Sequence, residues 1–464
     1  MDFGGWIMND VRGTGSGGGV RRRMVLVTGC TGFVATHVVL QLVRSSEEIV
    51  VKGTVRRKGD SAGLVALMSG DEKKRFIETI CDLTKEKGWA EACLGCDTVF
   101  HVASPVSTKN TEYELETVLK PALIGTMNVM LAAARSRSVK RVVVTSSAAA
   151  VYATWTSESE QTQFGELDFT VLWSPSCYIY ARSKTASELC AWLFAKKTPL
   201  PRAEIVRRLT PPERAKQSDD DPKLVKGDAW LTTQVKEINA LFEPNASRRA
   251  LMPLEVVTVN PPYVLGEVLL PKHSGHIGSS ADILREMMVH PDVYGQPPVD
   301  LGIVDVKDVA RLHVLAGSEK RLSGRRIYAG YGSVPIRELA RLVKKNFGPQ
   351  GYGALLVFTW PRSLATLWWI THPYRQRVAS RTMGPVGQTA MEKTERGVTC
   401  DNTLATELLG ELEDLEATVV AAGNSFLSLG LLKPVRRPGT TIAAVACVSV
   451  AIGAVAAFYY YKST

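Results

Sequence analysis

Cysteine is scarce in this chain, eight in 464 residues, which is too few for a disulfide framework. The opening "MDFGGWIMNDVRGTGSGGGVRRRM" is glycine-rich and polar and lacks the apolar core of a secretory signal. The catalytic part is therefore expected to face the reducing cytosol. Cys93 and Cys96 form a single C-x-x-C with no second pair at zinc spacing, and the seven histidines show no H-x-x-x-H cluster. No metal is expected. Basic residues exceed acidic ones, 56 against 46, for a net charge of +10, yet no run alternates basic and aromatic residues. That excludes a nucleic-acid surface and leaves an anionic cofactor or an anionic membrane to account for the charge.

What is present begins with a globular composition, 45% apolar and 22% charged. One uncharged apolar run, Thr441–Tyr461, has about the ~20 residues a helix needs to cross a bilayer. Lys433, Arg436 and Arg437 precede it, which favours leaving the body of the protein in the cytosol. The expectation is a single-pass tail anchor, with the endoplasmic reticulum as its membrane. A second apolar stretch, Ala354–Thr371, is broken by Pro361 and Arg362 and is too short to span. Its Leu364, Leu367, Trp368 and Trp369 suit either a core or a membrane surface.

Residues 1–21 read as a flexible leader, because glycine and serine dominate and nothing is periodic. Then "MVLVTG", a continuous apolar run of the buried-strand type, meets a glycine turn, and Val34, Val38, Val39, Leu42 and Val43 recur at helical spacing. Strands at "EIVVKGTVR", "ETICDL", "CDTVFHVAS" and "VKRVVVTSS" alternate with helices, among them Thr117–Ala134 and one starting near Tyr180. This alternation predicts an α/β fold, a Rossmann-type doubly wound parallel sheet over residues 22–270. A smaller C-terminal substrate-binding part is expected over 271–433. Residues 198–252 are rich in proline and charge and read as a surface insertion.

Three motifs carry chemistry. "VTGCTGFVA" sets Gly29, Gly32 and Ala35 between a strand and a helix, where Gly29 permits a tight turn and Gly32 a close approach to a pyrophosphate. Where NAD enzymes place a carboxylate after the second strand, this chain has Arg56, Arg57 and Lys58. A guanidinium grips a 2'-phosphate, so NADP(H) is the expected cofactor. The stretch "SPSCYIYARSK" offers two tyrosines, each with a basic residue four positions on: Tyr178 with Arg182 and Tyr180 with Lys184. A phenol works as an acid or base near neutral pH only with a cation beside it, and a lysine can also reach a ribose hydroxyl. Tyr180 with Lys184 meets that need better, with Ser146 and Ser147 available at the end of an upstream strand.

With "VTGCTGFVA", "GTVRR", "CDLT", "CDTVFHVASPV", "GTMNVM", "VVVTSSAAAV", "YARSK", "VNPPYVLG" and "VDVKDVARLHVLA", the sequence resembles the extended short-chain dehydrogenase/reductase family. More narrowly, it is similar to the branch of dihydroflavonol reductases, cinnamoyl-CoA reductases and 3β-hydroxysteroid dehydrogenases. The resemblance implies that Tyr180 is the acid/base, that Lys184 binds the nicotinamide ribose and lowers the tyrosine's pKa, and that Ser147 holds the reacting oxygen. It also implies that Asn128 supports a proton relay. For the cofactor it implies Gly29, Thr31, Gly32, Phe33 and Val34 at the pyrophosphate and Arg56 at the 2'-phosphate. Asp82 and Leu83 would sit at the adenine, Val102, Ala103 and Ser104 along the cofactor, and Pro261 to Val264 beside the nicotinamide. "SCYIY" lacks the tryptophan-tyrosine-cysteine signature of cinnamoyl-CoA reductases, which argues against a CoA thioester. His101 and His313 are expected to be structural.

The expected reaction is hydride transfer between NADP(H) and the carbonyl or secondary alcohol of a small molecule, a lipophilic one if the chain is membrane-bound. Three other readings remain: an NAD-dependent 3β-hydroxysteroid dehydrogenase/isomerase, a nucleotide-sugar epimerase or dehydratase with tightly held NAD, and a non-catalytic NADP-binding membrane scaffold.

Overall fold

The structure, a computed structural model, describes residues 23–104, 115–154, 161–174, 176–210, 230, 232–238, 240, 251–270, 280–289, 300–353 and 398–432. In its first half, β1 (Arg23–Val27), α1 (Phe33–Arg44), β2 (Ile49–Val55), short helices α2 (Ala62–Ala66) and α3 (Gly70–Lys74), β3 (Phe76–Ile80), α4 (Trp89–Cys93) and β4 (Thr98–His101) follow one another. Next come α5 (Lys120–Arg135), β5 (Arg141–Thr145), α6 (Ala149–Tyr152), β6 (Gln163–Phe164), α7 (Ile179–Trp192) and α8 (Arg202–Leu209). The second half holds β7 (Glu255–Asn260), β8 (Tyr263–Leu265), α9 (Ser280–Val289), β9 (Asp300–Asp305), α10 (Val306–Ser318), β10 (Arg326–Tyr328), β11 (Ser333–Pro335) and α11 (Ile336–Phe347). It ends with β12 (Thr399–Cys400), α12 (Thr403–Leu409) and α13 (Leu415–Ser428).

The main sheet has seven strands in the order β10-β7-β5-β4-β1-β2-β3. Every pairing in it is parallel. Parallel strands with helices on both faces must be apolar on both faces, and Val25, Leu26 and Val27 of β1 are all fully buried. From β1 the chain steps to β2 and β3 on one side and to β4 and β5 on the other. The strand order thus reverses between β1 and β4, and a crevice opens at their carboxyl ends.

The boundary expected at residue 270 is crossed by the sheet itself. Strand β10, from residues 326–328, pairs with β7 to form its last strand, and α10 packs on α1. A three-residue edge strand carries too little pattern to be read from sequence. Residues beyond 270 also build a second layer, a small sheet in the order β11-β9-β8 over which α9, α11 and α13 share an apolar core that includes Leu284, Leu339 and Phe426.

The segment 198–252 is more than a surface excursion where it is described. Ile205 and Leu209 of α8, one turn apart, are fully buried, and Val235 and Ile238 are 4% and 1% exposed against the same core. Proline and charge content concealed this short apolar face. Among the described residues, the helical stretch long and apolar enough to cross a membrane is Glu116–Arg135, which is a core element, 61% buried. The runs Ala354–Thr371 and Thr441–Tyr461 lie outside the described residues.

Candidate active site

The glycine turn closes the carboxyl end of β1. Gly29 has φ +61, in the left-handed region, and a Cβ there would stand 2.8 Å from the Ala103 Cβ across the β1–β4 switch. Its N–H donates to Thr54 Oγ1 at 2.9 Å, and the Gly32 N–H donates to the Gly29 carbonyl at 2.8 Å. Gly32 then serves as the N-cap of α1, so the N–H groups of Phe33 and Val34 in the first turn have no acceptor within the helix, and half-buried Thr31 leads into it. This backbone cradle, which a single methyl group would fill, suits a pyrophosphate. The residues present fit a dinucleotide.

A buried hydrogen-bond chain sets the other wall. The Ala103 N–H donates to Thr28 Oγ1 at 2.9 Å, Thr28 Oγ1 lies 3.2 Å from His101 Nδ1, and His101 Nε2 lies 3.2 Å from Thr126 Oγ1. Thr126 in turn donates to the Ala122 carbonyl at 2.9 Å. With the Thr126 hydrogen committed, its oxygen accepts from Nε2–H, and Nδ1 accepts from Thr28. Burial holds the His101 pKa down to about 3, so the ring is neutral and locked in one tautomer. His101 is thus a structural link that fixes Val102, Ala103 and Ser104 beside the glycine turn. His313 is structural as well: its Nδ1 bonds the Val309 carbonyl at 2.7 Å and its Nε2 meets Thr145 Oγ1 at 2.6 Å.

Arg56 is exposed just past β2, as a group reaching for a phosphate must be. Hydrogen bonds from the Thr84 N–H and hydroxyl, 2.9 and 2.8 Å, hold the Asp82 carboxyl below its ordinary value, with the charges of Lys85 and Arg56 adding to the effect. Asp82, just past the end of β3, therefore lies within electrostatic reach of Arg56, just past the end of β2. The Asn128 Nδ2 donates to the Leu83 carbonyl at 2.8 Å, so its side chain braces the loop that follows β3. No hydrogen bond joins that amide to Ser147, Tyr180 or Lys184 among the described residues.

Tyr180 and Lys184 rise from one face of α7, with the Lys184 Nζ 5.9 Å from the centre of the Tyr180 ring. Ser147, which follows β5, lies near the Tyr180 phenol. Burial pushes the Tyr180 phenol above its ordinary value of 10. The resemblance implied a lowered phenol. Here the ammonium lies 5.9 Å from the ring centre, and Ser147 is the group that opposes the effect of burial on the phenol. Burial lowers the Lys184 pKa to about 8, and the Glu188 carboxylate opposes the fall. The competing pair separates: Arg182 turns away to Trp173, 6.0 Å from its ring, and to the Cys177 thiol, while the Tyr178 ring stacks 6.4 Å from that of Tyr180. Pro261, whose carbonyl accepts from the Ala148 N–H at 2.9 Å, and Val264, 8% exposed, close the site from β7 and β8.

Ser147, Tyr180 and Lys184, the glycine turn and the 102–104 segment thus all converge on the carboxyl ends of the parallel strands. Residues 25–205 match the model of the NAD dependent epimerase/dehydratase family. An anthocyanidin reductase of Vitis vinifera is 28% identical over 333 residues, covering 71% of this chain and 82% of that protein. A cinnamoyl-CoA reductase of Medicago truncatula is 29% identical over 313 residues, 65% of this chain and 74% of the relative. Over these residues the chain is similar to the extended short-chain dehydrogenase/reductases. The similarity supports an NAD(P)-dependent oxidoreductase. Solved structures share this reductase fold: yeast methylglyoxal/isovaleraldehyde reductase Gre2 complexed with NADPH has a TM-score of 0.58 at 20% identity, over 88% of this chain and 100% of that one. Alfalfa vestitone reductase has a TM-score of 0.54 at 19% identity, over 88% and 99%.

Sequence reading missed several members of the reductase site: Thr54 beneath Gly29, the Thr28–His101–Thr126 chain, and the buried group around Glu188. Glu188 stands four residues after Lys184, so helical spacing could have pointed to it. Its partners on β7 and β10 could not have been found that way.

Proposed function

We propose that this enzyme is an NADP(H)-dependent reductase that transfers hydride between the nicotinamide and a carbonyl or secondary alcohol of a lipophilic, polycyclic small molecule. The observation that carries the reading is the placement of Tyr180 near Ser147, with Lys184 one helical turn away and its Nζ 5.9 Å from the centre of the Tyr180 ring, at the carboxyl end of the parallel strands. Bound there, the nicotinamide supplies or accepts the hydride. Tyr180 delivers a proton to the substrate oxygen, Ser147 donates a hydrogen bond to that oxygen as charge develops, and Lys184 holds the ribose and replenishes positive charge near the phenol. Exposed Arg56, with no carboxylate after β2 in its place, supports the 2'-phosphate form. The NADPH in the Gre2 complex supports the same choice, and the flavan-3-ol formed by the grape relative supports a polycyclic substrate.

Replacing Tyr180 by Phe should lower kcat by at least ~100-fold, the usual size of an acid/base contribution, with NADPH affinity nearly unchanged. Unaltered turnover would refute the assignment. Arg56→Asp should weaken NADPH and spare NADH, while an enzyme indifferent to that change would favour the NAD-dependent steroid dehydrogenase reading. On its length and uncharged composition, we also take Thr441–Tyr461 as a single-pass anchor in the endoplasmic reticulum membrane, with the catalytic part in the cytosol. Full-length protein should resist alkaline extraction from membranes, and a chain ending before residue 434 should not.

A further inference from the structure

Behind the catalytic face of α7 lies a carboxylate the reaction does not use directly. Glu188 is 1% exposed and Arg326, on the edge strand β10, is 3% exposed, and their side chains meet at 2.5 Å. Glu188 also accepts from Asn260 Nδ2 at 2.8 Å, from Trp192 Nε1 at 3.2 Å and from the Ser146 hydroxyl at 2.5 Å. The same Asn260 Nδ2 reaches the Ser147 carbonyl at 3.3 Å, immediately before the Pro261 turn. Arg326 is gripped in turn by the carbonyls of Glu166, Asp168 and Ala150 and lies 3.6 Å from the centre of the Phe169 ring. A buried ion pair that is only structural is commonly replaceable by apolar residues. This one ties together the serine turn, the strand that carries the nicotinamide-side loop, and the helix that carries Tyr180 and Lys184.

We propose that the Glu188–Arg326 pair is the positioning device of the catalytic set, in which Glu188 holds the Ser146–Ser147 turn in register with α7 and provides the counter-charge for Lys184. The proposal rests on the reductase reading for its kinetic part. Along its own helix Lys184 faces Tyr180 on one side and Glu188 on the other, while Arg182 is turned to Trp173. From β4 it faces His101, which is neutral. From the other elements packed on α7 come neutral Tyr152, the mutually paired Glu116 and Lys120, Glu204 paired with Arg207 and Arg208, and, on β7, Glu255 paired with Arg141, while Arg326 from β10 meets Glu188 itself. Glu188 is therefore the anionic group that opposes the burial of Lys184, and without it the lysine loses its proton at lower pH.

The test uses full-length protein with nitrogen-15-labelled lysine, the Lys184 resonance being assigned by its loss in Lys184→Met. In Glu188→Gln the Lys184 titration should move down by roughly one pH unit, the size of shift a close opposite charge produces. Glu188→Asp should restore most of it. On whichever carbonyl the wild type reduces with NADPH, the basic limb of kcat/KM in Glu188→Gln should move down with the lysine. That gives about a fivefold loss at pH 8 and little loss at pH 6. Glu188→Gln/Arg326→Met removes both charges, so it should recover thermal stability but keep the displaced titration; it gives the same reading should the single variant not fold. Lys184 titrating as in wild type in either folded variant would overturn the proposal, as would a loss of activity with an unmoved basic limb. If the wild type reduces no carbonyl, the reductase reading fails while the lysine titration still decides the positioning role.

Discussion

A single methyl group at Gly29 should separate cofactor binding from folding. Gly29→Ala meets two penalties that the geometry defines. The residue sits at φ +61, where an L side chain costs ~1–2 kcal/mol. The new Cβ would also lie 2.8 Å from the Ala103 Cβ, and relieving such overpacking costs ~1–3 kcal/mol. The easiest relief is to part the β1 and β4 ends, which widens the cradle that should grip the pyrophosphate. If the full ~2–5 kcal/mol appears in binding, the NADPH Kd rises by roughly 30-fold to 4,000-fold. NADPH fluorescence titration gives Kd directly, and melting with and without NADPH shows whether strain has gone into binding or folding. The control is Gly351→Ala, where φ is +90 but a Cβ would meet nothing within 4 Å. It should cost stability alone. A Gly29→Ala enzyme that binds NADPH as wild type does would refute the placement of the pyrophosphate.

Three further outcomes follow from the site. Asn128→Ala removes a bond to the Leu83 carbonyl worth ~1 kcal/mol, so the NADPH Kd should rise about fivefold with kcat and its pH limbs unmoved; a hundredfold loss of kcat at unchanged Kd would return Asn128 to the proton relay. Burial lowers the pKa values of His37, His101 and His313 to about 4, 3 and 4. Between pH 6.5 and those values the unfolded chain binds more protons than the folded one, so stability is full above pH 6.5 and falls with acidification, by up to roughly 4 kcal/mol per pH unit near pH 5. Urea midpoints at pH 7.5 and 5.5 check the sign, and equal midpoints would contradict it. Ile205→Ala in α8 should cost ~2–5 kcal/mol, read as a drop in urea midpoint, because that side chain is fully buried in the main core; a neutral result would return residues 198–252 to the surface.

The strand-turn-helix of residues 23–44 was legible because each part answers to local physics: continuous apolar character for a strand buried on both faces, glycine for a left-handed turn, helical periodicity beyond it. Tyr180 and Lys184 were legible for the same reason, since residues four apart on a helix share a face. The brace Asn128 gives was not legible, because its partner is set by what the middle of α5 touches, the Leu83 carbonyl 45 positions away. The 198–252 segment was misjudged because two buried residues on α8 weigh little in a composition dominated by proline and charge.

By itself the sequence determined the parallel sheet, the glycine turn between β1 and α1, and the tyrosine and lysine that share a face of α7, all of them patterns written within a few turns of chain. Only the tertiary structure decided which partners those groups have. It brought Ser147 near the phenol, drew Arg182 away to Trp173, and seated Glu188 against an arginine from β10, 138 positions distant. It also set the charges, because burial is a property of the packed molecule: it lowers the Lys184 pKa and raises that of Tyr180, and no reading of neighbouring residues reveals how much water has been removed.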